Sequence, residues 1–410
     1  MEGTSDRRLD LVVFGATSFV GQILCRYLVQ RHGTDGPLRW AIAGRSAAKL
    51  DEVAAATGAD VERIVADAGD AIALARLAGS TRVVASTVGP YALHGSPLVA
   101  AVVSAGTDYC DLTGEPQWMR RMIDAHQLGA EETGARIVHT CGFDSIPSDL
   151  GVWYTQQRAQ EALGAPCTRI DMQVHAMKGS ASGGTIASML NLVAEASRDE
   201  AIRRLLADPY ALAPKDQRTG PAQPDLTRPV HDEATGQWLA PFVMAGVNTR
   251  VVHRTHALLG RPWGQGFRYR EAMAAGTGPT GAAKAAALAA ATGGAVAAGA
   301  IGPLRRFAAD HLLPKPGEGP SLAAQQAGHW DVRFLGTTDD GRTIRTRVTG
   351  DRDPGYGSTA KMLGEAAAAL LDRPAGAPAG GFWTPATAFG DALVERLEAH
   401  AGVRFDVLEG

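Results

Sequence analysis

Tyr91, Tyr109, Asp144 and Ser145 are the side chains in the first 150 residues best suited to moving a proton or steadying a developing negative charge. They lie in three stretches rich in glycine, hydroxyls and acids. The first is Ser86-Thr87-Val88-Gly89-Pro90-Tyr91, where Gly89 allows close backbone approach and Pro90 fixes the chain that presents Tyr91. The second runs from Gly106 through Asp108, Tyr109, Cys110, Asp111 and Thr113 to Glu115, and the third from Cys141 through Phe143, Asp144, Ser145 and Pro147 to Asp149. A phenol can donate to an oxygen that gains charge or pass a proton to carbon, while an Asp-Ser pair orients a ligand. Asp144 and Ser145 are equally what a turn before Pro147 would use.

These loops need a scaffold, and the N-terminal pattern supplies one. An apolar run at Leu9 to Phe14 turns through Gly15-Ala16-Thr17-Ser18-Phe19-Val20-Gly21 into the helical spacing Ile23, Leu24, Tyr27, Leu28. A buried strand turning sharply into a helix presents backbone N–H groups and a partial positive charge, which suits a pyrophosphate. The second strand, Leu38 to Ala43, ends in Gly44-Arg45-Ser46, where this arrangement reads the ribose. Arg45 has no acceptor for a ribose hydroxyl but pairs with a 2′-phosphate, so NADP(H) is the expected cofactor. Its expected contacts are Gly15, Thr17, Ser18, Phe19, Val20 and Gly21 at the turn and Gly44, Arg45, Ser46 and Lys49 after the second strand. Asp67 after the third strand, and Val88 and Gly89 after the fourth, complete the set.

Further strands are expected at Val61–Val65, Arg82–Ser86 and Arg136–His139, with helices at about 47–56 and 99–104. This alternation predicts an α/β fold: a Rossmann-like doubly wound parallel sheet in residues 1–150, with reactive loops at its carboxyl edge. From residue 151 the pattern changes to α+β, and residues 151–380 are expected to form a substrate and dimerisation domain. There Ile170, Met172, Val174 and Ala176 alternate as a strand, Gly183-Gly184-Thr185 caps a helix to about Ala196, and Asp339-Asp340-Gly341 joins a hairpin. Residues 381–410 add a helix from Thr384-Pro385 to about Ala401 and a short strand that could return to the first domain.

The 410 residues are 45% apolar, enough for two cores, and the net charge of −3 gives no pull towards nucleic acid. No secretory signal is expected. Cys25, Cys110, Cys141 and Cys167 lie far apart and fit a reducing cytoplasm. The histidines form no metal set; His253 and His256, three apart, read as a polar helix face. Ala285 to Leu304 is uncharged and of spanning length, but Ala and Gly contribute little transfer energy. A helix packed under the second domain, or touching a membrane surface or an acyl chain, fits better.

The run from Val88-Gly89-Pro90-Tyr91 through Tyr109-Cys110-Asp111-Leu112-Thr113-Gly114-Glu115 to Gly142-Phe143-Asp144-Ser145-Ile146-Pro147 resembles the saccharopine dehydrogenase-like oxidoreductases. Within them it is most similar to the actinobacterial trans-acting enoyl reductases. Lys315-Pro316-Gly317-Glu318-Gly319-Pro320, Asp353-Pro354-Gly355-Tyr356-Gly357 and Thr384-Pro385-Ala386 extend the resemblance over nearly the whole chain. Ser18 departs from the glycine usual in relatives. The resemblance implies NADPH-dependent reduction of a carbon–carbon double bond in a long acyl or polyketide intermediate. An acyl carrier protein would hold that thioester and a polyketide synthase would be the partner, in the cytoplasm or peripherally at the inner face of the plasma membrane, with a homodimer as the assembly. An amino-acid dehydrogenase using Arg250, Arg254, Arg268 or Arg270 to hold carboxylates is the alternative enzyme, and a silent NADPH-binding scaffold the alternative of another class. An apolar tunnel favours the first reading, an Arg-lined cleft the second and a blocked nicotinamide face the third.

Overall fold

The computed structural model describes residues 7–179, 183–303, 319–372 and 376–409. Six strands alternate with helices at the start: β1 (Leu9–Phe14), β2 (Trp40–Gly44), β3 (Glu62–Val65), β4 (Thr81–Ser86), β5 (Asp108–Asp111) and β6 (Arg136–Val138). Then come β7 (Cys167–Lys178), β8 (Val230–Asp232), β9 (Gln237–Ala240), β10 (Arg268–Gly276), β11 (His329–Thr338) and β12 (Thr343–Gly350), followed by β13 (Gly381–Trp383) and β14 (Val403–Glu409).

The first sheet has the order β13-β6-β5-β4-β1-β2-β3 and is parallel throughout. Every residue of β1 and β2 is buried, as parallel strands covered by helices on both faces must be. Strand order reverses between β1 and β4, which opens a crevice at their carboxyl ends. The Asp108–Asp111 stretch, expected as loop, is a central strand. Its acids are tolerated because Asp108 accepts from the Arg136 backbone N–H (2.8 Å) and from its guanidinium (3.1 Å), while Asp111 meets His139.

The second sheet, β14-β12-β11-β7-β10-β9-β8, holds one parallel pair, β7 with β10, and is otherwise antiparallel. The expected hairpin is β11–β12, turning at Gly341 with φ +86°. The helix Ile146–Leu163 leaves the first sheet and lies on the second, so closely that a Cβ at Gly151 would overlap the Phe334 ring. The C-terminal elements divide: β13 extends the first sheet beside β6, and β14 extends the second beside β12. The helix expected from Pro385 to about 401 is interrupted at Gly390 (φ +52°), leaving Pro385–Phe389 and Asp391–Arg396 before a wider turn. His253 and His256 do share a helix, Ala245–Leu258, but not a polar face: both are buried against Phe267. The helix Gly278–Ala300 packs along one side against β9 and β10, where Ala285 joins Ala240 and Ala275 in a small core, and leaves most of its length uncovered. Of its residues only Gly281, Ala285 and Gly299 are buried.

Candidate active site

Gly15 ends β1 with φ +90°, and a Cβ there would lie 2.5 Å from Val88 Cγ2 and 2.8 Å from Thr87 Oγ1. Only glycine takes that conformation without strain, and only a missing side chain lets the turn press against the end of β4. Gly21 is packed as tightly onto the turn. Ser18 caps the helix Phe19–His32 by accepting from Gly21 N–H (2.9 Å), and its hydroxyl also meets Thr87 Oγ1 (2.9 Å). Replacing a glycine with Ser18 therefore exchanges one free N–H for a cap, while the first-turn N–H groups of Phe19 and Val20 have no intrahelical acceptor. At the end of β2, Thr17 stands beside Gly44 and Ser46 caps the next helix, Ala47–Thr57. Arg45 and Lys49 are exposed, and among the described residues neither side chain has an ion partner. Asp67, exposed after β3, accepts from Gly69 N–H (2.8 Å). This cradle fits a dinucleotide with a 2′-phosphate.

Beside the cradle lies a cavity of about 420 Å³. Val20, Thr87, Gly89, Tyr91 and Asp144 form its floor at the sheet edge. Met189, Leu192 and Val193 of the helix Gly183–Arg198, with Phe242, Met244 and Val247, form its wall. No lysine or arginine is among the lining residues described. The four arginines expected to hold carboxylates in an amino-acid dehydrogenase are occupied elsewhere. Arg250 pairs with Asp225 (2.6 Å), Arg254 donates to the carbonyls of Leu212 and Phe382, Arg268 donates to that of Ala222, and Arg270 pairs with Asp171 (2.8 Å).

The expected reactive residues separate. Tyr91 is buried with its ring on the cavity, but its hydroxyl donates to Ser86 O (2.9 Å) and accepts from Leu112 N–H (3.1 Å). Its single proton is committed to the backbone, which sets aside the expectation that it serves a substrate oxygen. Tyr109 is fully buried on β5 and does not line the cavity. Ser145 is fully buried too; its hydroxyl donates to Asn248 Oδ1 (2.9 Å), whose amide donates to Glu271 (2.9 Å). Among the described residues, only Asp144 brings an ionisable carboxyl to the cavity. Its recessed position and then the nearby Asp111 charge push its pKa up to about 7.

The turn that delivers Asp144 is strained. Thr140, a β-branched residue, has φ +62° immediately after β6, held by its N–H donating to Asp111 Oδ1 (3.1 Å) and its hydroxyl donating to His139 O (2.6 Å). Gly142 then leaves room for the carboxyl, since a Cβ there would lie 2.9 Å from Asp144 Oδ2. Sequence reasoning missed Glu115 as an organiser. It is fully buried and accepts from Tyr91 N–H (2.8 Å), Ala92 N–H (2.9 Å) and the Ser188 hydroxyl (2.8 Å), tying the cavity wall to its floor. Its position just before Pro116 and a helix was the available signal. Of the C-terminal motifs, 315–318 lie outside the described residues, and Pro354 and Gly355 line the cavity.

The sheet order and cradle are those of a dinucleotide-dependent oxidoreductase. Residues 11–138 match the family described as the saccharopine dehydrogenase NADP binding domain. The fold as a whole is similar to saccharopine dehydrogenase (L-Glu forming) from Saccharomyces cerevisiae, with TM-score 0.55 and 13% identity over 98% of this chain and 100% of that one. The protein is thus an NADP-dependent oxidoreductase whose first domain matches the saccharopine dehydrogenase NADP binding domain. A trans-acting enoyl reductase of Mycobacterium bovis is 40% identical, covering 97% of both chains, and one of Mycobacterium ulcerans is 38% identical, covering 96% of both. A Mycobacterium tuberculosis protein given that name provisionally is 43% identical over 97% of both. The chain belongs to the trans-acting enoyl reductase family.

Proposed function

We propose that this enzyme reduces the α,β double bond of a long-chain acyl thioester, acting in trans on an intermediate held by an acyl carrier protein, of the kind a polyketide synthase assembles. The observation that carries this reading is the apolar cavity opening beside the cradle, with no lysine or arginine among its described lining residues. An amino-acid dehydrogenase needs cations to hold its carboxylates, and here Arg250, Arg254, Arg268 and Arg270 are tied to carbonyls and aspartates. NADPH, when bound, supplies a hydride. Gly15, Phe19 and Val20 would hold its pyrophosphate and Arg45 and Lys49 its 2′-phosphate, while the Met189, Leu192 and Val193 wall takes the acyl chain and excludes water from the reacting carbons.

We place the enzyme in the cytoplasm, with the cavity mouth against the inner face of the plasma membrane. Met177, Val243 and Val296 line the cavity and are 44%, 47% and 45% exposed, and the adjoining helix Gly278–Ala300 carries one charged residue, Lys284. The test of the function is NADPH oxidation by the wild-type enzyme with a long-chain enoyl thioester and, in parallel, with keto-acid and amine pairs. The reading expects a saturated thioester as product in the first and no turnover in the second; the reverse result rejects it.

A further inference from the structure

Reduction of an enoyl thioester leaves negative charge on the α carbon and its thioester oxygen, and some acid must supply the proton that completes the product. Each polar side chain described on the cavity can be checked for a hydrogen it is free to give. Thr87 donates to Gly15 O (2.9 Å), Tyr91 to Ser86 O (2.9 Å), Ser188 to Glu115 (2.8 Å) and Thr359 to Pro354 O (2.7 Å). Each of these hydrogens already has an acceptor within the chain. Asp144 remains: it lines the cavity, and no side chain among the described residues donates to its carboxyl.

The surroundings prepare that carboxyl for one role. Gly142 and Gly114 stand on either side of it, at ideal Cβ distances of 2.9 Å to Oδ2 and 3.8 Å to Oδ1, so neither neighbour covers it. The strained Thr140 turn is anchored by Asp111, and Asp111 is the charged group facing Asp144 from β5; the Tyr91 phenol is the other titratable neighbour. No cation among the described residues faces it, and the one hydrogen bond that favours its anion, from its own backbone N–H, is outweighed by burial. Its pKa of about 7 keeps a large share protonated in neutral solution.

Resting on the function proposed above, we infer that Asp144 is the catalytic acid that protonates the α carbon. As a hydride adds to the β carbon, the π electrons of the double bond shift to the α carbon and the thioester oxygen. The Asp144 carboxyl then gives its proton to the α carbon, the O–H pair stays on Asp144 as a carboxylate, and water restores the proton after the product leaves. Tyr91, its proton committed, acts instead as a positioning residue that fixes the spacing of β4 and the Leu112 backbone.

The test compares the full-length wild-type enzyme with Asp144→Asn, and with Asp144→Glu as the variant that restores an acid. Asp144→Asn should lower kcat by roughly 10²–10⁴-fold with NADPH affinity unchanged. Asp144→Glu should recover part of the loss. Wild-type kcat should fall as pH rises through about 7, and the residual rate of Asp144→Asn should be flat. Infrared difference spectra of the cofactor-free protein give a second readout: the protonated-carboxyl signal that disappears across the same pH range in the wild type should be smaller by one carboxyl in Asp144→Asn, the buried Asp149 and Glu271 supplying the remainder. Wild-type turnover in Asp144→Asn, or a carboxyl already ionised at about pH 5, overturns the assignment of Asp144 alone. A wild-type enzyme that oxidises no NADPH with any enoyl thioester overturns the enoyl-reductase reading itself and the Asp144 role with it.

Discussion

Arg45 and Tyr91 show how differently two residues can be read from sequence. The place of Arg45 was legible because it depends only on where a strand ends, and the structure leaves it exposed with no ion partner among the described residues. A charge-assisted contact with a 2′-phosphate contributes about 1.5–3 kcal/mol, or roughly one to two decades of preference. Calorimetry on Arg45→Ala should therefore find NADPH affinity reduced to that of NADH; an undiminished preference would place the 2′-phosphate elsewhere. Tyr91 was misread because its partners, Ser86 O and Leu112 N–H, are set by how β4 and β5 lie side by side. Tyr91→Phe leaves both groups unpaired in a buried setting, at a cost of about 1–3 kcal/mol. Its melting temperature should drop while kcat stays within a few-fold of the wild type, and a large loss of kcat in a stable Tyr91→Phe protein would return the phenol to the chemistry.

At the scale of elements, the sequence showed the parallel sheet wherever strands were continuous apolar runs, as in β1, β2 and β4. It concealed β5, because an acid begins and ends that strand and residues distant in sequence, Arg136, His139 and Thr140 among them, make those acids tolerable there. The cavity wall was hidden for a related reason. The spacing of Met189, Leu192 and Val193 gives a helix with an apolar side, but not that the side faces a cavity. Leu192→Trp should fill part of the 420 Å³ and shorten the chain that fits. Its kcat/KM for long enoyl thioesters should fall by roughly a decade or more, as buried methylenes at about 0.8 kcal/mol each are lost, while short thioesters are spared. Equal losses at every chain length would show that Leu192 does not contact the acyl tail.

Across the whole molecule, burial sets two opposing pH trends. Asp144, Asp149 and Glu271 are each pushed up to about 7, chiefly by burial, so the folded chain holds protons that the unfolded chain has released. Their contribution to stability is present at low pH and is lost as pH rises through 7. His253 and His256 are pushed down to about 3 and about 4 by burial, so the unfolded chain holds their protons and stability rises with pH up to about 6.5. Above that value only the carboxylates still change. Unfolding midpoints should therefore fall between about pH 6.5 and 8, and the fall should shrink in Asp149→Asn or Glu271→Gln. A steady rise over that range would show these acids to be ionised in the fold.

The central claim is that the apolar cavity beside the cradle receives the acyl chain of the molecule being reduced. The most direct measurement is kcat/KM for NADPH-dependent reduction across enoyl thioesters of increasing chain length. It should rise roughly four-fold per added methylene, as expected from about 0.8 kcal/mol of burial each, and reach a plateau once the cavity is filled. A kcat/KM that is flat or falls from the shortest chain upward would contradict it.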